Sequence, residues 1–198
     1  MVGNIKNLEA VQKEHQRKQA EKLAQADRRE IEEHFVTFPY RKPEGEAAFL
    51  SQFLPGVVLK RRRFLVLDGV SQLGKSDYAK SLSPPGRTLD VNCASCDGEP
   101  PLRNYDPVDR DAILLDEAAA ELIVRNKKLM QGPPEPVELG STQSNMYTYL
   151  VYVHKKKLIV SSNKWAEQLE KLSDSDRQWL QDNQIFIPVT TPLFIRPP

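Results

Sequence analysis

The sequence has almost no net charge and no long apolar run. Its 28 lysines and arginines are balanced by 27 aspartates and glutamates, for a net charge of +1. Bulk charge therefore offers no attraction to nucleic acid or membrane, and any polyanion site needs a local patch. No apolar run approaches the roughly 18 residues that span a bilayer, and the N-terminus lacks the apolar core of a secretory signal. We expect an intracellular protein of the nucleus or cytoplasm, with no membrane partner.

Cysteine is also scarce. The only two, Cys93 and Cys96, form a C-x-x-C pair. One such pair supplies half of a tetrahedral zinc site, no second pair follows, and His154 is the only downstream histidine. The pattern favours reduced thiols at the end of a strand, in a reducing compartment. A metal or redox role is the alternative.

The N-terminal part of the chain differs in composition from the rest. Residues 4–35 contain no Pro or Gly and are rich in good helix formers, which predicts a long helix. Its apolar positions are too sparse for a sustained heptad, so a solvated arm or linker is favoured, with an oligomerisation arm as the alternative. Residues 37–47 carry Pro and Gly and indicate a linker. We therefore divide the chain into a charged helix with linker, residues 1–45, and one domain, residues 46–198.

Short apolar runs alternate with helix-forming or polar stretches along this domain. Such runs predict strands of a parallel sheet that is buried on both faces, and hence an α/β domain. The predicted strands are Phe64–Asp68, Thr88–Val91, Ala112–Asp116, Leu158–Ser161 and Ile185–Val189. The runs 137–139 and 147–153 flank the polar residues GSTQSNM and indicate an inserted hairpin.

The stretch GVSQLGKS satisfies the phosphate-loop pattern G-x-x-x-x-G-K-[ST]. Its residues are Gly69, Val70, Ser71, Gln72, Leu73, Gly74, Lys75 and Ser76. The glycines let backbone N–H groups approach phosphates, Lys75 would reach the β and γ phosphates, and the Ser76 hydroxyl would ligate Mg²⁺. A predicted strand ends directly before Gly69 and a predicted helix begins directly after Lys75, which is the context that the motif requires. The alternative is an ordinary glycine turn with a surface lysine.

Two later strands end in polar residues that would complete such a site. Asp116, at the end of AILLD, would hold Mg²⁺ through water, and the adjacent Glu117 would act as the base for an attacking water. Asn163 follows the run KLIVSS, and its amide could position water beside the γ phosphate without adding charge. Taken alone, each is an ordinary strand end or turn former.

The series GVSQLGKS, AILLDEA and IVSSNKW resembles the Walker A, Walker B and motif C of superfamily 3 helicases. It resembles in particular the ATPase domain of the replication-initiator (Rep) proteins of circular single-stranded DNA viruses, over about residues 60 to 190. The resemblance implies a three-layer, AAA+-like P-loop NTPase fold with a mainly parallel five-stranded sheet. It also implies ATP and Mg²⁺ as cofactors, a homo-oligomer in the form of a hexameric ring, and coupling to single-stranded DNA, with RNA as an open alternative.

The sequence departs from this family in two places. Family members tend to carry a lysine in the hairpin loop between the second and third motifs, and here that loop is neutral. The nearby lysines 155–157, or Lys127 and Lys128, could supply the charge. The family's Rep proteins also carry an N-terminal nicking domain, and we expect no nicking activity from this chain, because residues 1–59 contain no H-x-H pair and no sheet pattern.

Several other basic residues have no role that the sequence can assign. In the family's rings an arginine from one subunit reaches the neighbour's γ phosphate, and four residues could do so here. They are Arg103, Arg110, Arg125 and Arg177. The basic run of residues 60–63 is interpreted as a solvated strand start, with contact to a polyanion as the less favoured alternative.

Two other functions are compatible with the same loop. The first is a small nucleotide or small-molecule kinase, although such enzymes usually carry an arginine-rich lid, and the hairpin and Asn163 argue against it. The second is a Rep-derived domain that binds nucleotide without turnover, which the neutral hairpin loop and the missing nicking domain favour.

Overall fold

The N-terminal arm is helical wherever it is described. The computed structural model describes residues 14, 17–24, 26–27, 29–31, 33–35, 37–140 and 148–195. Nearly all described residues between 14 and 35 are exposed, and ion pairs one turn apart join Arg17 to Glu21 and Arg29 to Glu33. The predicted N-terminal helix is therefore confirmed over its described residues, and it is a solvated one.

Seven strands are present among the described residues. They are β1 (Phe64–Asp68), β2 (Thr88–Asn92), β3 (Ala112–Asp116), β4 (Val137–Leu139), β5 (Tyr149–Val151), β6 (Lys157–Ser162) and β7 (Gln184–Pro188). Five of them form one sheet in the order β2-β3-β6-β1-β7, and every neighbouring pair is parallel. The predicted five-stranded parallel sheet is thus confirmed, with boundaries that differ by one residue at most.

Helices cover both faces of this sheet. They are α1 (Glu46–Ser51), α2 (Lys75–Ser81), α3 (Ala120–Arg125), α4 (Lys127–Met130), α5 (Trp165–Leu169) and α6 (Asp174–Asn183). Among the described residues, no helix is both long and apolar enough to cross a membrane.

The core is split by the sheet into two clusters because alternate residues of a strand point to opposite faces. In β1, Phe64 and Val66 pack with helices α3 to α6, whereas Leu65 and Leu67 pack with α1 and α2. Trp165 is fully buried in the first cluster. Helix, sheet and helix therefore form three layers, and the molecule has a P-loop NTPase fold.

The two remaining strands form the predicted hairpin. Strands β4 and β5 pair antiparallel, from Val137 opposite Val151 to Leu139 opposite Tyr149. Their inner residues join the first core cluster, so the hairpin is anchored on the domain. The neutral loop that departs from the family pattern falls largely at 141–147, outside the described residues.

The linker before the domain and the C-terminal part of the domain are paired with each other. Tyr40 forms an antiparallel bridge with Phe194, the Arg41 N–H donates to Leu193 O at 2.7 Å, and the Ile195 N–H donates to Pro39 O at 3.0 Å. Within the predicted linker, residues 39–41 are therefore paired with residues 193–195. We call this paired unit the terminal strap.

Candidate nucleotide site

The phosphate loop connects β1 to α2 at the carboxyl edge of the sheet. A Cβ on Gly69 would lie 2.1 Å from Val189 O, so only glycine fits where the loop leaves β1. Gly74 has φ +77°, and a Cβ there would lie 2.8 Å from the Phe194 ring. Both glycines are thus confined by the protein's own backbone or terminal strap, a constraint that the sequence motif does not reveal.

The middle of the loop is exposed and its backbone is strained. Gln72 has φ 66°, a left-handed conformation that costs a non-glycine residue about 1–3 kcal/mol. The side chains of Val70, Ser71 and Gln72 are exposed, whereas that of Leu73 packs against the second core cluster. Leu73 therefore anchors a loop whose other residues remain accessible to a ligand.

Lys75 lies at the centre of the site and is only 5% exposed. Its Nζ donates to Gly69 O at 2.7 Å, to Val70 O at 2.8 Å and to Asn163 Oδ1 at 2.9 Å. An ammonium has three protons, so these acceptors use all of them. Burial lowers the pKa of Lys75, an effect that Asp116, Asp68 and Glu117 oppose.

The two predicted metal ligands are in contact. Ser76 Oγ lies 3.0 Å and 3.1 Å from the two carboxylate oxygens of Asp116, which is the last residue of β3. Glu117 follows, is exposed and has φ 56°. Such left-handed, non-glycine residues are often found at functional sites.

Asn163 follows β6, the strand between β1 and β3. Its amide oxygen reaches Lys75, and it lines one cleft together with Ser76, Asp116 and Glu117. Five residues that the sequence singled out for chemistry, Lys75, Ser76, Asp116, Glu117 and Asn163, are therefore brought together. Their roles stay predictions, because contact alone does not establish catalysis.

Two acidic residues at this edge were missed by the sequence analysis. Asp68, the last residue of β1, accepts hydrogen bonds from the N–H groups of Trp165 at 2.9 Å and Ala166 at 3.3 Å, and so caps α5. Asp77 lines the cleft. Burial raises the pKa of its carboxyl group, Lys80 lowers that pKa, and Asp90 and Asp116 raise it further. The position of Asp68 at the end of a hydrophobic strand was the one sequence signal that could have identified it. Its hydrogen-bond partner Trp165 lies 97 residues further along the chain.

The oxygen ligands of the cleft suit Mg²⁺ better than zinc. A hydroxyl and a carboxylate, Ser76 and Asp116, are hard donors, and Mg²⁺ is usually held by one or two carboxylates together with substrate phosphates. No group of three or more His, Cys, Asp or Glu side chains in the described part of the chain could enclose a metal. Cys93 and Cys96 are free thiols, and Cys93 directly follows β2, as the sequence predicted for a strand-end pair.

The candidate arginines make contacts within their own chain. Arg103 lies over the Tyr149 ring, Arg110 donates to Gly86 O, Arg125 contacts Asp97 and Glu121, and Arg177 pairs with Asp174. Lys75 is the only Lys or Arg among the described residues that line the cleft. A second cation at the phosphates would therefore have to come from elsewhere.

The comparisons with known proteins find similarity to solved structures alone. No family model and no curated protein matches it. Among solved structures, it is similar to Hsp104 with ATPγS and FITC casein, at 12% identity and a TM-score of 0.47. This match covers 74% of the chain and 30% of Hsp104. It is also similar to NtrX from Brucella abortus in complex with ADP, at 13% identity and a TM-score of 0.43, covering 86% of the chain and 42% of NtrX. The chain thus spans less than half of either protein, and likenesses this distant carry no functional conclusion.

Proposed function

We propose that the chain binds ATP with Mg²⁺ at this cleft and hydrolyses it. One observation carries the proposal: Lys75, from the phosphate loop, is hydrogen-bonded to Asn163, which lies 88 residues away at the end of another strand. A chance glycine turn gives no reason for a buried lysine to meet a strand-end amide. The Ser76 and Asp116 contact supports the same reading from a third strand.

Each residue has a defined part in the proposed reaction. Lys75 would exchange its loop carbonyl acceptors for phosphate oxygens, and Ser76 and Asp116 would hold Mg²⁺. When bound, the metal would neutralise charge on the β and γ phosphates. Glu117, exposed at the rim, would accept a proton from the attacking water, while Asn163 would orient that water.

We further propose that the domain, residues 46–198, is of the Rep-like superfamily 3 helicase type. The order of the three motifs and the hairpin between the second and third support this. The presence of a single cation in the described lining supports assembly into a ring, where a neighbour would supply an arginine. In this proposal hydrolysis is coupled to binding or unwinding of single-stranded DNA.

ATP hydrolysis by the purified chain, with and without single-stranded DNA, tests the proposal. Glu117→Gln should lower kcat by roughly 10²- to 10⁴-fold while nucleotide still binds, because only proton acceptance is removed. The matched control is Glu135→Gln, an exposed glutamate outside the cleft, which should hydrolyse ATP like the wild type.

The other outcomes distinguish the alternatives. If nucleotide binds but is not hydrolysed at any DNA concentration, the result would favour a non-catalytic nucleotide-binding domain over an ATPase. Phosphoryl transfer to an added nucleoside would favour a kinase. Failure to bind nucleotide at all would overturn the proposal.

A further inference from the structure

Two basic runs that are far apart in the sequence meet at one edge of the sheet. Residues 60–63 precede β1 and residues 155–157 lead into β6. These strands are parallel neighbours, with Leu65 opposite Ile159, so their amino ends lie side by side. The phosphate loop and Asn163 lie at the carboxyl ends of the same two strands. The basic runs therefore occupy the edge opposite the nucleotide cleft, and we call their meeting point the basic edge.

Four cations of the basic edge line one small depression. Arg62, Arg63, Lys155 and Lys156 surround it. Arg62 is only 7% exposed, lies 5.7 Å from the centroid of the Phe53 ring and donates through Nε to Gln52 O at 3.1 Å. Its Nη1 is buried and has no hydrogen-bond partner within the described residues. Arg62 thus fixes one positive charge at the basic edge, with its guanidinium held against Gln52 and Phe53.

The other three cations of the depression form no close ion pair within the described residues. Arg63 and Lys155 are exposed and Lys156 is half-buried, and none of the three forms an ion pair within the described residues. The nearby carboxylate of Asp111 is paired with Arg87 at 2.9 Å and is also close enough to interact with the charge of Lys156. The basic edge therefore keeps a local excess of positive charge that the overall net charge of +1 conceals.

The backbone and the neighbouring rings add to this arrangement. Lys155 has φ 61°, a conformation that costs a non-glycine residue about 1–3 kcal/mol and is often found at binding sites. Tyr152 is 40% exposed, and its ring centroid lies 6.3 Å from that of His154. Exposed aromatic rings beside lysines are typical of surfaces on which unpaired bases stack while cations hold the phosphates.

We propose that the basic edge binds the phosphate backbone of single-stranded nucleic acid, with Arg63, Lys155 and Lys156 as phosphate contacts. The rings of Tyr152 and His154 favour this partner over an acidic protein or a lipid surface. The inference rests on the proposed function, to which it adds a binding surface. For the 60–63 run, of which residues 60, 61 and 63 are exposed, it favours the alternative of contact with a polyanion.

The position of the surface gives a route for coupling to the nucleotide. Strand β1 runs from Arg63 to the phosphate loop, and β6 runs from the lysines to Asn163. Each strand spans about 16–20 Å at 3.2–3.4 Å per residue. Nucleic acid on this edge would thus contact the two strands whose far ends hold Lys75.

The test is fluorescence anisotropy of a labelled oligothymidine of about 20 nucleotides, longer than one binding site, over a series of salt concentrations. Wild type should bind with an affinity that falls as salt rises. Arg63→Gln combined with Lys155→Gln should bind more weakly, and the slope of log K against log salt should become shallower by about 1.4, or 0.7 per lost phosphate contact. The control is Lys42→Gln with Lys171→Gln, two exposed lysines outside the depression, with the same change in net charge.

The proposal is overturned if wild type does not bind the oligonucleotide, if the basic-edge variant binds like wild type, or if the control loses affinity equally. Binding to phosphatidylserine vesicles, but not to the oligonucleotide, would overturn it in favour of a lipid surface. Melting temperatures confirm that the variants are folded. A fluorescent ATP analogue, titrated in parallel, reports on the cleft alone, so failure of the nucleotide proposal can be recognised separately.

Discussion

Gly69 is confined by the protein's own backbone. Because a Cβ there would lie 2.1 Å from Val189 O, Gly69→Ala must push β7 away from the start of the loop. We expect it to lower the free energy of unfolding by about 1–3 kcal/mol, as overpacking does. The control is Gly98→Ala, where a Cβ would meet nothing within 4 Å, with an expected change within about 0.5 kcal/mol. Urea unfolding measures both, and equal stability of the two variants would contradict the packing constraint.

The two cysteine thiols should differ in reactivity. Cys93 is 3% exposed, and burial together with the neighbouring Cys96 raises its pKa to about 12. Cys96 is half-buried. Because the thiolate is the nucleophile, iodoacetamide near pH 8 should label Cys96 well before Cys93. Fragmentation mass spectrometry of the shared peptide locates the label. In urea both should react alike, and equal labelling of the folded protein would refute the difference.

At the scale of elements, Asp68 joins the end of β1 to the start of α5. Asp68→Ala removes the acceptor for the Trp165 and Ala166 N–H groups, and we expect a loss of about 0.5–2 kcal/mol of stability. Asp68→Asn keeps an acceptor oxygen and should lose less. Both variants remove the negative charge near Lys75, so the difference between them in urea unfolding isolates the cap. Identical stabilities would show that the cap contributes nothing.

A second link joins the starts of β2 and β3 and depends on pH. Hydrogen bonding from Arg87, with both distances at 2.9 Å, lowers the pKa of Asp111 below its ordinary value of 3.8; burial opposes this effect. A carboxyl whose pKa is lowered on folding stabilises the fold above its ordinary pKa. That contribution is lost as pH falls through the lowered value.

Arg87→Gln should therefore destabilise the protein near neutral pH, and the difference from wild type should shrink as pH falls below the ordinary pKa of 3.8. Arg41→Gln, an exposed arginine with no ion pair in the described chain, is the control and should show no such pH dependence. Urea unfolding at a series of pH values measures both differences. A constant difference for Arg87→Gln would exclude the ion pair as its cause.

The elements were predictable because their signals are local. Short, mainly apolar runs of four or five residues predicted all five strands of the sheet, and the phosphate loop lies between β1 and α2 as its pattern requires. The capping role of Asp68 was not predictable, since its partners come 97 and 98 residues later. Lys75 and Asn163 were both predicted as site residues, but the hydrogen bond between them was not. Contacts between side chains on different strands depend on the order of the strands in the sheet.

Charge differs between the two edges of the sheet. The described lining of the nucleotide cleft carries Asp77, Asp116 and Glu117 around a single lysine, while the opposite edge carries the two basic runs together with Asp111. A composition that sums to +1 cannot show this separation, and runs of like charge reveal it only once the strand order is known. The molecule therefore presents two surfaces of opposite character, one suited to Mg²⁺ and one to phosphates.

The terminal strap ties the two ends of the described domain to the phosphate loop. The Leu193 N–H donates to Leu73 O at 2.9 Å, and the ring of Phe194 lies against Gly74.

Phe194→Ala should lower the free energy of unfolding by about 1 kcal/mol or more, because the apolar surface of the ring is no longer buried. It also leaves Gly74 without its neighbour. We expect faster amide hydrogen exchange in residues 69–76, with exchange in β3 unchanged, because local opening affects the loop before the core. Ile195→Ala, whose side chain is 45% exposed and whose backbone bond to Pro39 persists, is the control. If both variants, or neither, accelerate exchange in the loop, the Phe194 ring does not hold the loop in place.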